Sequence, residues 1–379
     1  MRNEAAQPII RTLLEHVASG EPWRGHETMV PAYEYTDAGH LALEHEKVFK
    51  GQPKLIGLSV DIPEPGSYVT RDQFALPLIL SRGDDGKARV LTNVCAHRGA
   101  EVLTSDRGCE RRFTCPYHAW AYAPDGTHVG LPDSESFPSV AVPQPGMVEL
   151  PVAEENGLIF TVPELGATMP HLQLGPMGDD FDNLAPLGAR HWRTCRFDLA
   201  MNWKLVIDTF LEGYHFSYLH KTTVGPIFVP NLGFAERFGP HLREVLPRRS
   251  IGELAHQDPS SWNIVDQSAL VYVLFPTTVY VINIDHVETW RIHPDRTDPG
   301  RTIVDLDFYV PDDPVTESSE RHWELNWKLT IDTVRDEDFS AMAGAQRGLA
   351  SGALEKLTFG ANEPALGLFH RSINEALSR

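Results

Sequence analysis

Cysteine is scarce: the chain has four, Cys95, Cys109, Cys115 and Cys195, among 379 residues. That excludes a disulfide-stapled secreted scaffold, which needs a dense set of cysteines. Long apolar runs are lacking too. The most hydrophobic stretch, SALVYVLFPTTVYVINI (268–284), is cut by Pro276 and predicts two strands and a turn rather than a membrane span. Positive charge is in deficit, with 33 Lys and Arg against 52 Asp and Glu and a formal net charge of −19. Nucleic-acid phosphates would be repelled. No G-x-G-x-x-G is present, so a nicotinamide or flavin site is not expected. The N-terminal MRNEAAQPIIRTLLEH has early acidic residues and no apolar run; a secretory signal is not expected, and the predicted location is cytoplasmic.

The length leaves room for two domains. Residues 7–50 read as helical with loops. From 54 to 163, short apolar runs (KLIGLSV, FALPLIL, ARVLTNV, GLIFTV) alternate with Gly, Pro and Asp clusters and predict a small all-β domain. The Pro-rich run 163–186 reads as a linker or docking segment. Helical spacing of Trp203, Val206, Ile207, Phe210, Tyr214 and Tyr218 predicts one amphipathic helix over 202–220. Strands are expected near 269–275, 278–284, 286–293 and 302–310, and a long helix over about 319–350. The predicted class is α+β. Residues 1–50 form a helical segment packing with the second domain, 51–165 the β domain, and 166–379 an antiparallel sheet flanked by helices. NWKLVIDTF (202–210) and NWKLTIDTV (326–334) nearly repeat, but without wider similarity they read as two like-patterned helices.

Two of the four cysteines keep company with histidine. Cys95 and His97 form C-x-H, Cys115 and His118 form C-x-x-H, and seventeen residues separate the pairs. Such a set can hold zinc in a Cys2His2 tetrahedron, or a [2Fe–2S] cluster with cysteines on one iron and histidines on the other. One Cys and one His per pair suits two hairpin loops clamping a two-iron cluster, whereas zinc fingers more often pair like with like. Cys109 and Cys195 read as packed or exposed thiols.

Further on, LEGYHFSYLH places Glu212, His215 and His220 within nine residues. Two histidines and a carboxylate suit non-haem iron(II) with open positions for O2. On an ideal helix the imidazoles diverge, so the helix must kink or end for both to reach one metal. The terminal helix offers Asp332, Asp336, Glu337 and Asp338. Only Asp338 falls within the apolar stripe of Trp327, Ile331, Val334, Met342 and Ala345, where a buried carboxylate needs a metal or an arginine.

The flanks CAHRGA and CPYHAWAY resemble Rieske domains of ring-hydroxylating oxygenases. The later N-W-K at 202–204, Glu212, H-x4-H at 215 and 220, and E-D-x7-Q at Glu337, Asp338 and Gln346 are similar to the catalytic subunits of that family. The resemblance implies a helix-grip-like catalytic domain behind the Rieske domain. It further implies a [2Fe–2S] cluster on Cys95, His97, Cys115 and His118, mononuclear Fe(II) on His215, His220 and Asp338, and Glu212 bridging electron transfer between centres. It also implies O2 as oxidant, NAD(P)H electrons from a separate reductase with or without a ferredoxin, and a homotrimer with or without a β subunit. Many members have Asp at the bridging position; Glu occurs in the quaternary-amine branch, but it does not by itself fix the branch. The pocket is expected from strands after 268 and the loop 221–265, with Phe228, Phe234, Phe238, Phe275, Tyr280, His241 and Arg243 as candidates. The expected activity is hydroxylation or dihydroxylation of an aromatic or other apolar ring. The alternative is oxidative demethylation or monooxygenation of a quaternary-amine or methoxy substrate. A cluster-only electron-transfer protein and a zinc-stabilised binding protein are the non-enzyme readings.

Overall fold

The computed structural model describes residues 3–72, 76–312 and 315–379; Phe74 and Ala75 of the FALPLIL run lie outside them. The chain forms two compact units: the described residues up to Lys50 with Gln173–Arg379, and Gly51–Leu172. Among the described residues, no helix is long and apolar enough to cross a membrane.

The second unit is built from short antiparallel strands. Glu149–Leu150, Ala88–Thr92, Leu78–Arg82, Ser67–Arg71 and Arg107–Cys109 make a five-stranded sheet in that order. A three-stranded sheet (Val152–Glu155, Leu158–Thr161, Lys54–Leu58) adds Ile56 and Ile159 to one core with Val69, Leu80 and Val90. A smaller four-stranded sheet contains Phe113–Thr114 and Ala121–Tyr122, and its core holds Cys95 and Cys115.

The first unit centres on a seven-stranded antiparallel sheet: Arg190–Leu199, Thr302–Val310, Val287–Pro294, Thr278–Ile282, Ser268–Leu274, His241–Pro247 and Phe234–Phe238. The meander expected after 268 is there. The two strands at 234–247 replace an expected loop. Their charged letters obscured them: Arg243 and Glu244 are both buried within HLREVLP. Arg243 needs tertiary partners that the local pattern does not reveal, while burial pushes the Glu244 carboxyl well up.

The helix expected over 202–220 is also shorter. Only Trp203–Asp208 is α-helical, capped by the Asn202 side chain accepting from Lys204 N at 3.0 Å. Past Asp208 the backbone leaves the helix, so Tyr214 and Tyr218 are exposed rather than continuing the apolar face. Asp208 is held by Tyr35 Oη (2.8 Å) and His370 Nε2 (3.0 Å). Lys204 is fully buried against Glu44, with Nζ to Oε1 at 2.5 Å. Burial opposes both charges; Lys204 outweighs it at Glu44, whose carboxyl is lowered, while burial wins at Lys204, whose amine is also lowered.

The near-repeat is confirmed as two unrelated sites. Asn202 caps a buried helix and its backbone N donates to Gln346 Oε1 (2.9 Å), whereas Asn326 donates to Asp285 and Lys328 is an exposed partner of Asp332. The long terminal helix runs Glu317–Thr330, widens to π-helical geometry over Ile331–Phe339, and returns to α over Ser340–Ala350. A local widening of this kind is frequent at functional sites.

Candidate active site

In the β unit, two loops present the Cys–His pairs and close alike. Gly99 N donates to Cys95 O (2.9 Å) and Ala119 N to Cys115 O (3.0 Å), with φ of 76° at Gly99 and 57° at Ala119. Glycine adopts that left-handed region freely; alanine does so at a cost of about 1–3 kcal/mol, which the surrounding structure must offset. Cys95 and Cys115 are buried, while His97 is half-buried and His118 exposed. The two imidazole centroids are 4.6 Å apart, and His97 stacks on Trp120 at 4.8 Å. Tyr122 Oη lies 3.2 Å from Cys95 Sγ, and His97 Nδ1 is buried without a hydrogen-bond partner. Two buried thiols backed by a phenol, with two imidazoles toward the surface, fit a cluster with an inner cysteine-bound iron and an outer histidine-bound iron. Cys109 is exposed and Cys195 half-buried, and neither joins the set.

The catalytic unit brings His215, His220 and Asp338 together, with one ligand atom from each lying within 4.8 Å of the others. The helix ends at Asp208, and His215–Ser217 form a separate 3-10 turn. That break brings the two rings together edge to face, with Nε2 to Nε2 at 3.0 Å. Each ring's other nitrogen meets a carboxylate. His215 Nδ1 contacts Glu212 Oε1, and His220 Nδ1 lies 2.6 Å from Glu337 Oε2, which also accepts from Thr223 Oγ1 (2.6 Å). Glu212 Oε2 accepts the backbone N–H groups of Tyr214 (2.5 Å) and His215 (3.1 Å). With Nδ1–H donated outward, both Nε2 lone pairs point at a common centre, as in carboxylate–histidine–metal arrangements.

Asp338, 5% exposed, completes that centre. Its Oδ1 lies 3.0 Å from His220 Nε2 and 3.4 Å from His215 Nε2, yet forms no well-directed hydrogen bond. A proton shared by the two rings would leave this oxygen unpaired; a divalent metal satisfies all three atoms. Burial opposes charge on the rings, but Asp338 and the flanking carboxylates outweigh it. His215 is pushed up to about 10 and His220 also rises. The site is thus built to hold positive charge.

Sequence periodicity overlooked Glu337, which lies off the apolar stripe. The π-helical stretch lets adjacent Glu337 and Asp338 reach opposite nitrogens of the same His220 ring. Asp336 is exposed and paired with Arg335, and Asp332 with Lys328.

A cavity of about 250 Å³ adjoins the triad. Leu246, Ala269, Val271 and Val281 of the sheet and Thr330 and Val334 of the terminal helix line it, with Asp285 and Glu288 as acidic members. Along one wall, Phe216 lies 5.7 Å from His220 and 5.7 Å from Phe228, and the Arg248 guanidinium sits over Phe228 at 5.2 Å. Of the expected pocket residues, Phe228 lines this cavity. Arg243, Tyr272 and Tyr280 are cross-strand partners, as are Glu244, Val271, Val281 and Glu288 one position along. Strand alternation therefore turns Arg243 and Tyr280 to the other face, where Arg243 meets Asp180 and Tyr280 packs on Phe181. Phe234 packs on Trp23, and His241 Nδ1 accepts from Phe275 N at 2.9 Å.

Residues 181–379 match the ring-hydroxylating α-subunit catalytic domain, and 52–144 match the Rieske [2Fe–2S] domain. The carnitine monooxygenase oxygenase subunit of Acinetobacter pittii is 25% identical over 323 residues, 85% of either chain. A solved quaternary ammonium Rieske monooxygenase, described with carnitine oxidation and inter-subunit electron transfer, superposes with a TM-score of 0.73 at 21% identity. It covers 91% of this chain and 94% of that one. Naphthalene 1,2-dioxygenase from Rhodococcus sp. has a TM-score of 0.74 at 20% identity over 98% of both chains. Two domain matches in order, the catalytic one over more than half of the chain, place this chain in the family of Rieske non-haem iron ring-hydroxylating oxygenase α subunits.

Proposed function

We propose that this chain is the oxygenase component of a monooxygenase for a quaternary ammonium substrate. The observation that carries the reading is the aromatic lining of the cavity: Phe210, Phe216 and Phe228 line it together with His215, His220 and Asp338. Aromatic faces attract a quaternary ammonium; the wall carboxylates Asp285 and Glu288 are already engaged by His286. The near full-length match to a carnitine monooxygenase supports the same choice. It tips the balance from the aromatic ring to the quaternary-amine alternative.

In this reading Cys95, His97, Cys115 and His118 hold the [2Fe–2S] cluster, and His215, His220 and Asp338 hold iron(II). Bound there, the metals supply one-electron delivery and O2 activation. Glu212 and Glu337 fix the ring orientations through Nδ1, and Glu212 carries the electronic link to the cluster of a neighbouring subunit. Val271, Val281 and Val334 exclude water from the reacting end. A separate reductase, with or without a ferredoxin, supplies electrons to a homotrimer; inter-subunit transfer in the related monooxygenase supports that arrangement.

The test is substrate-dependent O2 uptake with a surrogate reductase, comparing carnitine-type compounds with single-ring and fused arenes. Uptake and single-oxygen incorporation with the quaternary ammonium compounds are expected. Turnover of an arene without response to any quaternary ammonium compound would overturn the reading. Metal analysis should find about three irons and two acid-labile sulfides per chain. Glu337→Gln should weaken iron binding at the triad by roughly 10–100-fold while leaving the cluster spectrum intact, as read by iron titration.

A further inference from the structure

We infer that Arg248 recognises an anionic group, making the substrate of this cavity a zwitterion with a quaternary ammonium at one end and a carboxylate at the other. The inference rests on the quaternary-ammonium reading and narrows it.

Arg248 follows the strand His241–Pro247, where its backbone N donates to Gln267 O at 2.7 Å and it bridges to Phe228. Its position at the end of the sheet is therefore fixed. The side chain lines the cavity over the Phe228 ring. Its Nε is buried without a hydrogen-bond partner, and among the described residues no carboxylate lies within ion-pairing distance of the guanidinium. Other buried arginines of the same sheet behave differently: Arg243 ends on Asp180 and Glu236, and Arg291 on Asp307 at 2.7 Å.

The nearest influence is Asp285, which attracts Arg248 through space but spends its oxygens elsewhere. His286 Nδ1 (2.7 Å), His322 Nε2 (2.6 Å) and Asn326 Nδ2 (3.2 Å) engage them. A partly buried guanidinium keeps its proton, and an anion entering the cavity is the partner that best offsets its lost hydration. The planar fork matches a carboxylate in bidentate fashion. Position sets the polarity of binding. From the triad the wall runs His220, Phe216, Phe228, Arg248, so a trimethylammonium group lies against the rings near the metal and the carboxylate reaches the far end. The same residue would disfavour a purely cationic substrate of that length, by like-charge repulsion.

Calorimetric binding to the metal-loaded protein decides the matter with three matched probes. These are trimethylammonio-butanoate, its methyl ester, and the all-carbon isostere bearing tert-butyl in place of trimethylammonium. The zwitterion should bind roughly tenfold to a hundredfold tighter than the ester, the range of a hydrogen-bonded charge pair. Arg248→Met should erase that preference and Arg248→Lys restore part of it, both with an unchanged cluster spectrum. Equal wild-type binding of zwitterion and ester overturns the inference alone, as does a preference that survives Arg248→Met. Equal binding of the isostere and the zwitterion overturns the quaternary-ammonium reading, and the inference with it.

Discussion

Asp338→Ala will abolish substrate-dependent oxygen uptake, by about a thousandfold or more, while the visible spectrum of the Rieske cluster stays unchanged. The size follows from what a catalytic metal contributes: several kcal/mol of stabilisation, at about 1.4 kcal/mol per tenfold in rate. Among the described residues, Asp338 is the only carboxylate whose oxygen faces both His215 Nε2 and His220 Nε2, within 3.4 Å of each. Removing it leaves two imidazoles and no anionic ligand. Asp336→Ala, two residues earlier, removes only an exposed partner of Arg335 and should keep its iron. Iron and sulfide analysis of both variants checks the pair. Should Asp336→Ala lose one iron per chain while Asp338→Ala keeps it, the assignment of Asp338 would be wrong.

Glu212→Gln should uncouple the two centres without emptying either. The glutamine carbonyl can still accept from His215 Nδ1, which keeps the ring orientation, while the amide NH2 gives up the backbone N–H groups of Tyr214 and His215 that Oε2 accepts. What also disappears is the charge. In single turnover the pre-reduced cluster should then be reoxidised about a hundredfold more slowly in the presence of substrate and O2. That equals roughly 3 kcal/mol, the upper range of a hydrogen bond to a charged group. Iron content should remain near that of the wild type. Normal reoxidation kinetics in this variant would assign Glu212 to ring orientation alone, and loss of iron would show that its charge is needed to hold the metal.

Several features were legible in the residues because they are local. The Cys–His spacing, the paired turns around it and the strand signals after 268 each span a few positions. So does the placement of Asp338 on an apolar stripe. Other features were hidden because they depend on partners distant in sequence. Asp208 leaves the apolar pattern of 202–220 intact, but Tyr35 and His370 hold it where the helix stops. The strand His241–Pro247 reads as polar until Asp180 arrives to pair with Arg243. Arg243 and Tyr280 looked like pocket residues, yet strand alternation sends them to the opposite face.

The sequence by itself determined the chemistry: a two-iron cluster motif, a histidine pair, a carboxylate on a buried stripe, and the α+β class that carries them. Ligand identity follows from side-chain type and spacing, which are properties of the chain. Only the tertiary structure decided how those groups meet. The broken helix turns His215 and His220 toward each other, and the π-helical stretch brings Glu337 in behind Asp338's ligand partner. It also decided what lies beside the triad, setting Phe216, Phe228 and Arg248 in one wall. Substrate choice depends on distances between elements far apart in sequence, and no local periodicity contains those distances.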